Sequence, residues 1–170
     1  MSNLDDLVLR KPKLEDGLAV NELVASCPPL DANSSYCNFL QCSHFADTCI
    51  AAEADDQILG FVSAYPIPSK PDTLFVWQIA VHESARGQSL APRMLERLLK
   101  RPACEGIHFL ETTITSSNSA SRRVFERLAA ELNANLQVSP WLDSERHFDS
   151  LHPSEPLVRI GPFNQPREDL

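Results

Sequence analysis

A chain of 170 residues, 43% hydrophobic and 22% charged, holds enough apolar material for one globular domain with a sizeable core. Its net charge of −8 disfavours nucleic acid, whose binding rests on clustered Lys and Arg, but leaves room for an anionic ligand held by backbone N–H groups. The apolar runs are too short to span a bilayer, the acidic start "MSNLDDLVLRK" lacks the basic and apolar regions of a signal peptide, and the five cysteines have no C-x-x-C spacing. The expectation is a cytoplasmic protein with no membrane partner, no nucleic acid, no disulfide framework and no metal.

In chain order, "VLRKP" reads as a short first strand. "KLEDGLAVNELVASC" has helical apolar spacing and is stopped by Pro28 and Pro29. "LDANSSYCNFLQCSHFA" reads as a second helix with Tyr36, Phe39, Leu40 and His44 on one face, started by Asp31 or Asn33 as cap. Thr48–Glu53 and Ile58–Pro66 flank the turn "ADDQ" and form a hairpin. After the break "PSKP", Thr73–Val81 is apolar on both faces apart from Gln78, which predicts a central strand covered on both sides. A loop leads to a helix with Ala91, Met94, Leu95 and Leu98 aligned. Ile107–Thr115 is a further strand. "SSNSASRRVFERLAAEL" is a helix with Ser121, Val124, Phe125 and Leu128 in register and Asn118 near its start, and "EPLVRIGPF" holds a last short strand. The order β-α-α-β-β-β-α-β-α-β predicts a mixed, three-layer α/β sheet in a single domain, 1–170, with a core of about 7–163 and residues 131–170 partly irregular.

The stretch "ARGQSLA" joins the central strand to the helix that starts near Leu90. An Arg-Gly turn at a helix N-terminus gathers N–H groups suited to a pyrophosphate, although such turns are also made for structural reasons alone. G-x-G-x-x-G and G-x-x-x-x-G-K-[ST] are absent, which removes dinucleotide and nucleoside-triphosphate loops. Ser89 stands two residues after Gly87. At negative φ its N–H still reaches a phosphate; at positive φ its Cβ is a burden. His44, His82, His108 and His147 have no ligand spacing, and His147 with His152 is too loose for a metal site.

"AVHESARGQSLAPRMLERLL" resembles the acyl-CoA loop of the GNAT N-acetyltransferases, Arg/Gln-x-x-Gly-x-Gly/Ala, with Arg86 and Ala91 matching and Ser89 in a glycine place. "NSASRRVFERLA" resembles that family's second CoA element, Asn-x-x-Ala-x-x-Leu-Tyr-Glu. Asn118, Val124 and Glu126 fit, Ser121 replaces the alanine and Phe125 the tyrosine. From Leu9 to Phe163, "LDANSSYCNFLQCSHFADTC", "PDTLFVWQIAVHESARG", "LETTITSSNSAS" and "HPSEPLVRIGPF" together resemble the diaminobutyrate acetyltransferases of ectoine biosynthesis. The resemblance implies a GNAT-like three-layer α/β/α fold with a mixed, centrally splayed β-sheet. It also implies a homodimer, acetyl-CoA as cosubstrate, and acetyl transfer to the 4-amino group of L-2,4-diaminobutyrate.

By the same resemblance CoA lies on the backbone of Gln78, Ile79, Ala80 and Val81, on Arg86, Gly87, Gln88, Ser89, Leu90 and Ala91, and on Asn118, Ser121 and Phe125. The acceptor would meet Asp31, Asn33, Tyr36, Trp77, His152 and Glu155, with Asp31, Trp77 and Glu155 serving catalysis, and the tail 140–170 would fold over the acceptor site. The attacking amine must lose a proton, so a base is required, and the carbonyl oxygen that gains charge needs preorganised N–H donors. The family's tyrosine protonates the departing thiolate. Phe125 has no hydroxyl, which leaves unaided departure or another donor such as Tyr36. Each assignment has a plainer counterpart: Asp31 as a helix cap, Trp77 as core, and His152 and Glu155 as surface residues of a polar tail. Glu53 and Glu111, in or beside apolar strands, are secondary candidates for the base. Two other functions compete: a non-catalytic acyl-CoA-binding regulatory module, favoured by Ser89 and Phe125, and a GNAT enzyme acting on another small amine or a peptide.

Overall fold

The computed structural model describes residues 6–166; Met1–Asp5 of the acidic start and Arg167–Leu170 of the tail lie outside the described residues. Two compact units emerge, Met1–Tyr65 with Val76–Glu105 and Pro66–Phe75 with Gly106–Leu170. No helix among the described residues is long and apolar enough to cross a membrane.

The first unit holds β1 (Val8–Arg10), α1 (Gly17–Ala25), α2 (Ser35–Ser43), β2 (Ile50–Ala54), β3 (Gln57–Ile67), the end of β4 (Lys70–Val81), and α3 (Leu90–Leu99). Its strand order is β1-β2-β3-β4, with β1 and β3 antiparallel to β2. Helix α2 begins later than the sequence pattern predicts. Ser34 is extended and its Oγ accepts from Cys37 N at 3.2 Å, so neither Asp31 nor Asn33 caps the helix. The reason is local: a short hydroxyl placed three residues before an amide satisfies it at once. The expected break "PSKP" reduces to the turn Pro68–Ser69, and β4 already runs from Lys70 because Pro71 lies in its exposed opening residues.

The core of this unit is built from Val20, Leu23 and Val24 of α1, Cys42 of α2, Ala51 and Phe61 of the hairpin, and Ala80 of β4. Helix α3 buries Met94, Leu95 and Leu98 of the expected stripe, while Ala91 is only half-buried and Leu90 is buried beside them. Gly60 lets it lie close, since a Cβ there would stand 3.0 Å from Met94 Sδ and 3.1 Å from Leu90 Cδ2. Arg10 ties β1 to two acids, Asp16 at 2.7 Å and Glu53 at 2.5 Å. Burial pushes the Asp16 carboxyl up, but the Arg10 guanidinium and the Lys13 backbone N–H outweigh it and hold Asp16 below the ordinary carboxylate value.

The second unit holds Lys70–Phe75 of β4, β5 (Phe109–Thr113), α4 (Ser119–Glu131), β6 (Leu136–Leu142), α5 (Ser144–Phe148) and β7 (Glu155–Ile160), in the strand order β4-β5-β7-β6. Strands β4 and β5 are parallel, while β7 is antiparallel to both its neighbours, so the sheet is mixed, as expected. The stretch expected to be partly irregular contains β6 and α5. Strand β6 carries Pro140 and has no buried residue, so no alternation betrays it; its pairing with β7 makes it a strand. Helix α5 is set by Asp143, whose Oδ1 accepts from Glu145 N at 3.0 Å and Arg146 N at 2.9 Å.

Glu111 is 3% exposed in the middle of β5. Arg159 Nη1 reaches it at 2.6 Å and Lys70 Nζ at 3.1 Å, and the Arg159 guanidinium also lies 3.9 Å over the Phe109 ring. Removing Arg159 leaves the buried Glu111 with only the half-exposed Lys70 ammonium. Arg159→Ala should therefore lower the unfolding free energy by about 3 kcal/mol, while Lys70→Ala, at the half-exposed partner, should cost less than about 1 kcal/mol; urea denaturation reads both. For Asp16 the folded pKa lies below the unfolded one, so its contribution is present above about pH 4 and is lost as pH falls through the folded value. Asp16→Asn should flatten the acid limb of a stability-versus-pH curve.

Candidate functional site

The site begins where the register of β4 with β5 ends. That register goes from Thr73↔Phe109 to Phe75↔Glu111, whereas β4 itself continues to Val81. Val76 is buried, but Trp77 is 45% exposed, and Gln78 and Ile79 are half-buried. The expectation of cover on both faces therefore holds only to Val76, and Trp77 is not a core tryptophan. It stands edge-on to Tyr65 at 6.3 Å, and Tyr65 in turn meets Phe45 at 6.1 Å. Neither Tyr65 nor Phe45 stands out in the sequence: Tyr65 comes beside Trp77 through the pairing of β3 with β4, and Phe45, after α2, meets Tyr65 only in the fold.

Polar side chains take up the β4 backbone here. Gln78 N donates to Ser63 Oγ at 3.1 Å, and Val81 O accepts from Cys27 Sγ at 3.4 Å and from Arg86 Nε at 3.2 Å. The chain then makes a single 3-10 turn, Glu83–Ala85, opened by His82, whose Nδ1 accepts from Ser84 N. Gly87 has φ 74 and open space around the place of a Cβ. Ser89 has φ 56 and ψ 30, left-handed, directly before α3. Of the two conformations open to Ser89 from sequence, the structure takes the one that burdens a residue with a Cβ, at about 1–2 kcal/mol. Arg93 N makes the first intrahelical bond to Ser89 O, so the amides of Leu90 and Ala91 precede the ladder, and Pro92 has none to add. A loop ending in this way presents N–H groups and the positive end of a helix to an anion.

The loop between α1 and α2 meets β4 through amides. Gln78 Nε2 donates to Asp31 O at 3.0 Å, and Asn33 Nδ2 donates to Gln78 Oε1 at 2.6 Å. Asn21 Nδ2 donates to Asn33 O and to Asn38 Oδ1, both at 2.9 Å, and Asn38 Nδ2 donates to Gln41 Oε1 at 2.9 Å. Gln41 Nε2 ends this chain, buried and with no hydrogen-bond partner among the described residues, a burden of about 1–3 kcal/mol. Asp31, Asn33 and Gln78 are thus brought together, next in sequence to Trp77. Tyr36, on the first turn of α2, is 72% exposed.

In the second unit, Asn118 Oδ1 accepts from Ser121 N at 3.1 Å and caps α4, while Phe125 is buried on the same helix as Leu128 and Ala129. Glu155 opens β7 and accepts from Thr113 Oγ1 at 3.5 Å. The His152 ring lies 4.7 Å from that of Phe148, and its Nδ1 is 2.7 Å from Pro153 O. The secondary candidates for a base are engaged elsewhere, Glu53 with Arg10 and Glu111 with Arg159 and Lys70. Burial pushes the Cys42 and Cys49 thiols up to about 12 and Cys104 up to about 11, so none of the three is a thiolate nucleophile at neutral pH.

Residues 18–130 match the acetyltransferase (GNAT) family. The chain is 51% identical to the L-2,4-diaminobutyric acid acetyltransferase of Methylotuvimicrobium alcaliphilum, over 92% of this chain and 91% of that one. The chain belongs to the L-2,4-diaminobutyric acid acetyltransferase family. The Vibrio cholerae member is 52% identical, over 90% of this chain and 88% of its own. Diaminobutyrate acetyltransferase EctA from Paenibacillus lautus, solved in complex with its substrate L-2,4-diaminobutyric acid and coenzyme A, is 42% identical and matches in structure with a TM-score of 0.90, over 100% of this chain and 99% of that one. Family membership bears out the resemblance carried by the motifs around Arg86 and Asn118.

The loop makes one prediction that thermal unfolding checks. Ser89→Gly should raise the midpoint by up to about 2–4 °C, as relief of about 1 kcal/mol would in a chain of this length. Ser89→Val, β-branched and poorly suited to positive φ, should lower it. The reverse order would show that the left-handed conformation carries no strain.

Proposed function

We propose that this chain transfers the acetyl group of acetyl-CoA to the 4-amino group of L-2,4-diaminobutyrate, giving N4-acetyl-L-2,4-diaminobutyrate and CoA, the acetylation of ectoine biosynthesis. The observation that carries this reading is the full-length match to the Paenibacillus lautus enzyme bound to diaminobutyric acid and coenzyme A. Two local features agree with it: the turn at 86–91 closing on the start of α3, and the carboxylate-bearing loop at Asp31 docked on β4 beside Trp77.

In the proposed reaction the amine nitrogen, once neutral, attacks the thioester carbonyl. The C–N bond forms, the C–S bond breaks and the CoA thiolate takes up a proton. The amides of Leu90 and Ala91, with Arg86, Gly87, Gln88 and Ser89, hold the pyrophosphate. The Asp31 carboxylate pairs with a substrate ammonium, Trp77 walls the amine, and Glu155 and His152 complete the acceptor site from the tail, with Glu155 receiving the amine proton. Asn118, Ser121 and Phe125 line the CoA side. Phe125 is buried and has no hydroxyl, so Tyr36 or water supplies the thiolate proton. Backbone N–H groups from Ile79 to Val81 stabilise the carbonyl oxygen as it gains charge; Gln78 N is already given to Ser63.

The same proposal includes a cytoplasmic location, supported by cysteines that are all free and by use of acetyl-CoA. It includes a homodimer, supported by the apolar side chains Val138 and Trp141 left about half exposed on β6.

A thiol-release assay across diaminobutyrate, ornithine, lysine and a peptide tests the reading. Turnover should be highest with diaminobutyrate. Tight acetyl-CoA binding without CoA release from any amine would instead identify a binding module. Asp31→Ala should raise KM for diaminobutyrate about 10–100-fold, the worth of one charge-assisted contact, and leave KM for acetyl-CoA within about twofold. Equal effects on both would remove Asp31 from the amine site.

A further inference from the structure

Gln78 is the residue at which everything on the acceptor-side loop converges. Its backbone N–H is held by Ser63 Oγ at 3.1 Å, its side-chain oxygen receives Asn33 Nδ2 at 2.6 Å, and its side-chain nitrogen donates to the carbonyl of Asp31 at 3.0 Å. One planar amide therefore grips a three-residue segment at both ends. A primary amide offers an acceptor and a donor side by side in a fixed plane; a carboxylate lacks the donor and a hydrocarbon lacks both. From the far side, Asn21 Nδ2 holds the Asn33 carbonyl at 2.9 Å and is itself braced by the buried Asn38, which is braced by the buried Gln41. The segment is fixed from β4 and from the α1–α2 pair at once.

We propose that the Gln78 side chain is a positioning residue for the acetyl acceptor. It sets where the Asp31 carboxylate stands relative to the open end of β4, with Asn33, Asn21 and Asn38 as its support. The inference rests on the acetyl-transfer reading for its functional half, since it assigns the clamp to the acceptor and not to CoA. The buried Gln41 Nε2 fits this assignment. A polar chain that leaves one donor without a partner is poor packing, and apolar residues would fill the same space at lower cost. The chain makes sense where a backbone carbonyl two residues from Asp31 has to be held at a set distance.

Gln78→Leu removes both grips, and Gln78→Glu keeps the acceptor for Asn33 while turning an oxygen toward the Asp31 carbonyl. Both should raise KM for diaminobutyrate at least tenfold and leave the Kd of acetyl-CoA within about twofold. In an Asp31→Ala background, Gln78→Leu should add less than about threefold, because the group it positions is gone. Multiplicative losses in the two backgrounds, or equal losses for both substrates, would overturn the proposal. Hydrogen exchange gives an arm that needs no substrate: in Gln78→Leu the amides from Asp31 to Ser34 should exchange at least tenfold faster, with those of α3 unchanged. Unchanged exchange in that loop would refute the clamp. Wild-type protein that fails to turn over diaminobutyrate would refute the functional reading, and the exchange result would still decide the clamp.

Discussion

A β-strand cannot both complete its hydrogen-bond ladder and keep amides in reserve for a ligand, and β4 is asked to do both within twelve residues. Up to Phe75 it is an ordinary strand, paired in parallel with β5. Beyond Phe75 its polar groups are met one by one. Ser63 takes the Gln78 amide, Arg86 and Cys27 share the Val81 carbonyl, and Leu59 O accepts from His82 N. The register with β5 ends at Phe75 while β3 remains the neighbour of β4, and these side chains and turns take up some of its backbone groups. Successive side chains of a strand point to opposite faces, so the exposed Trp77 follows directly on the buried Val76.

The elements around this stretch answer to it. Helix α3 packs close over Gly60, which fixes where its N-terminus stands. The turn that reaches this N-terminus from β4 is short, and Ser89 takes the left-handed conformation to make the last step. The loop from α1 to α2 is fastened by an amide of β4, and the cap of α2 is Ser34, not Asp31. Tension in this region is concentrated in two places, a Cβ at positive φ and a buried amide nitrogen without a partner. Ser89 lies in the turn that leads from β4 to α3, and Gln41 joins the loop on β4 through Asn38 and Asn21.

The mixed α/β class was legible because its evidence is local: two apolar runs, 48–53 and 58–66, either side of the turn "ADDQ", an apolar run at 73–81, and helical stripes after Leu90 and after Asn118. The turn around Arg86 was legible because residue types and spacing carry it. Ser89's conformation was not, since serine occupies either sign of φ and only the geometry of the closing turn decides. The caps at Asp31 and Asn33 were misread because three acceptors, Asp31, Asn33 and Ser34, crowd the start of α2, and composition does not rank them. Strand β6 was invisible because its exposure never alternates, and β7 alone defines it. The amides at Asn21, Asn38 and Gln41 look like solvated polar positions of two helices; they become a network only when α1 packs on α2.

The buried thiols described above have a meaning for an enzyme whose proposed product is itself a thiol. Disulfides of CoA exchange with protein cysteines only through thiolates. Burial keeps Cys42, Cys49 and Cys104 protonated far above neutral pH and holds Cys37 above its ordinary value as well. These four thiols are therefore poor partners for a CoA disulfide at neutral pH, and for Cys42, Cys49 and Cys104 burial alone accounts for it.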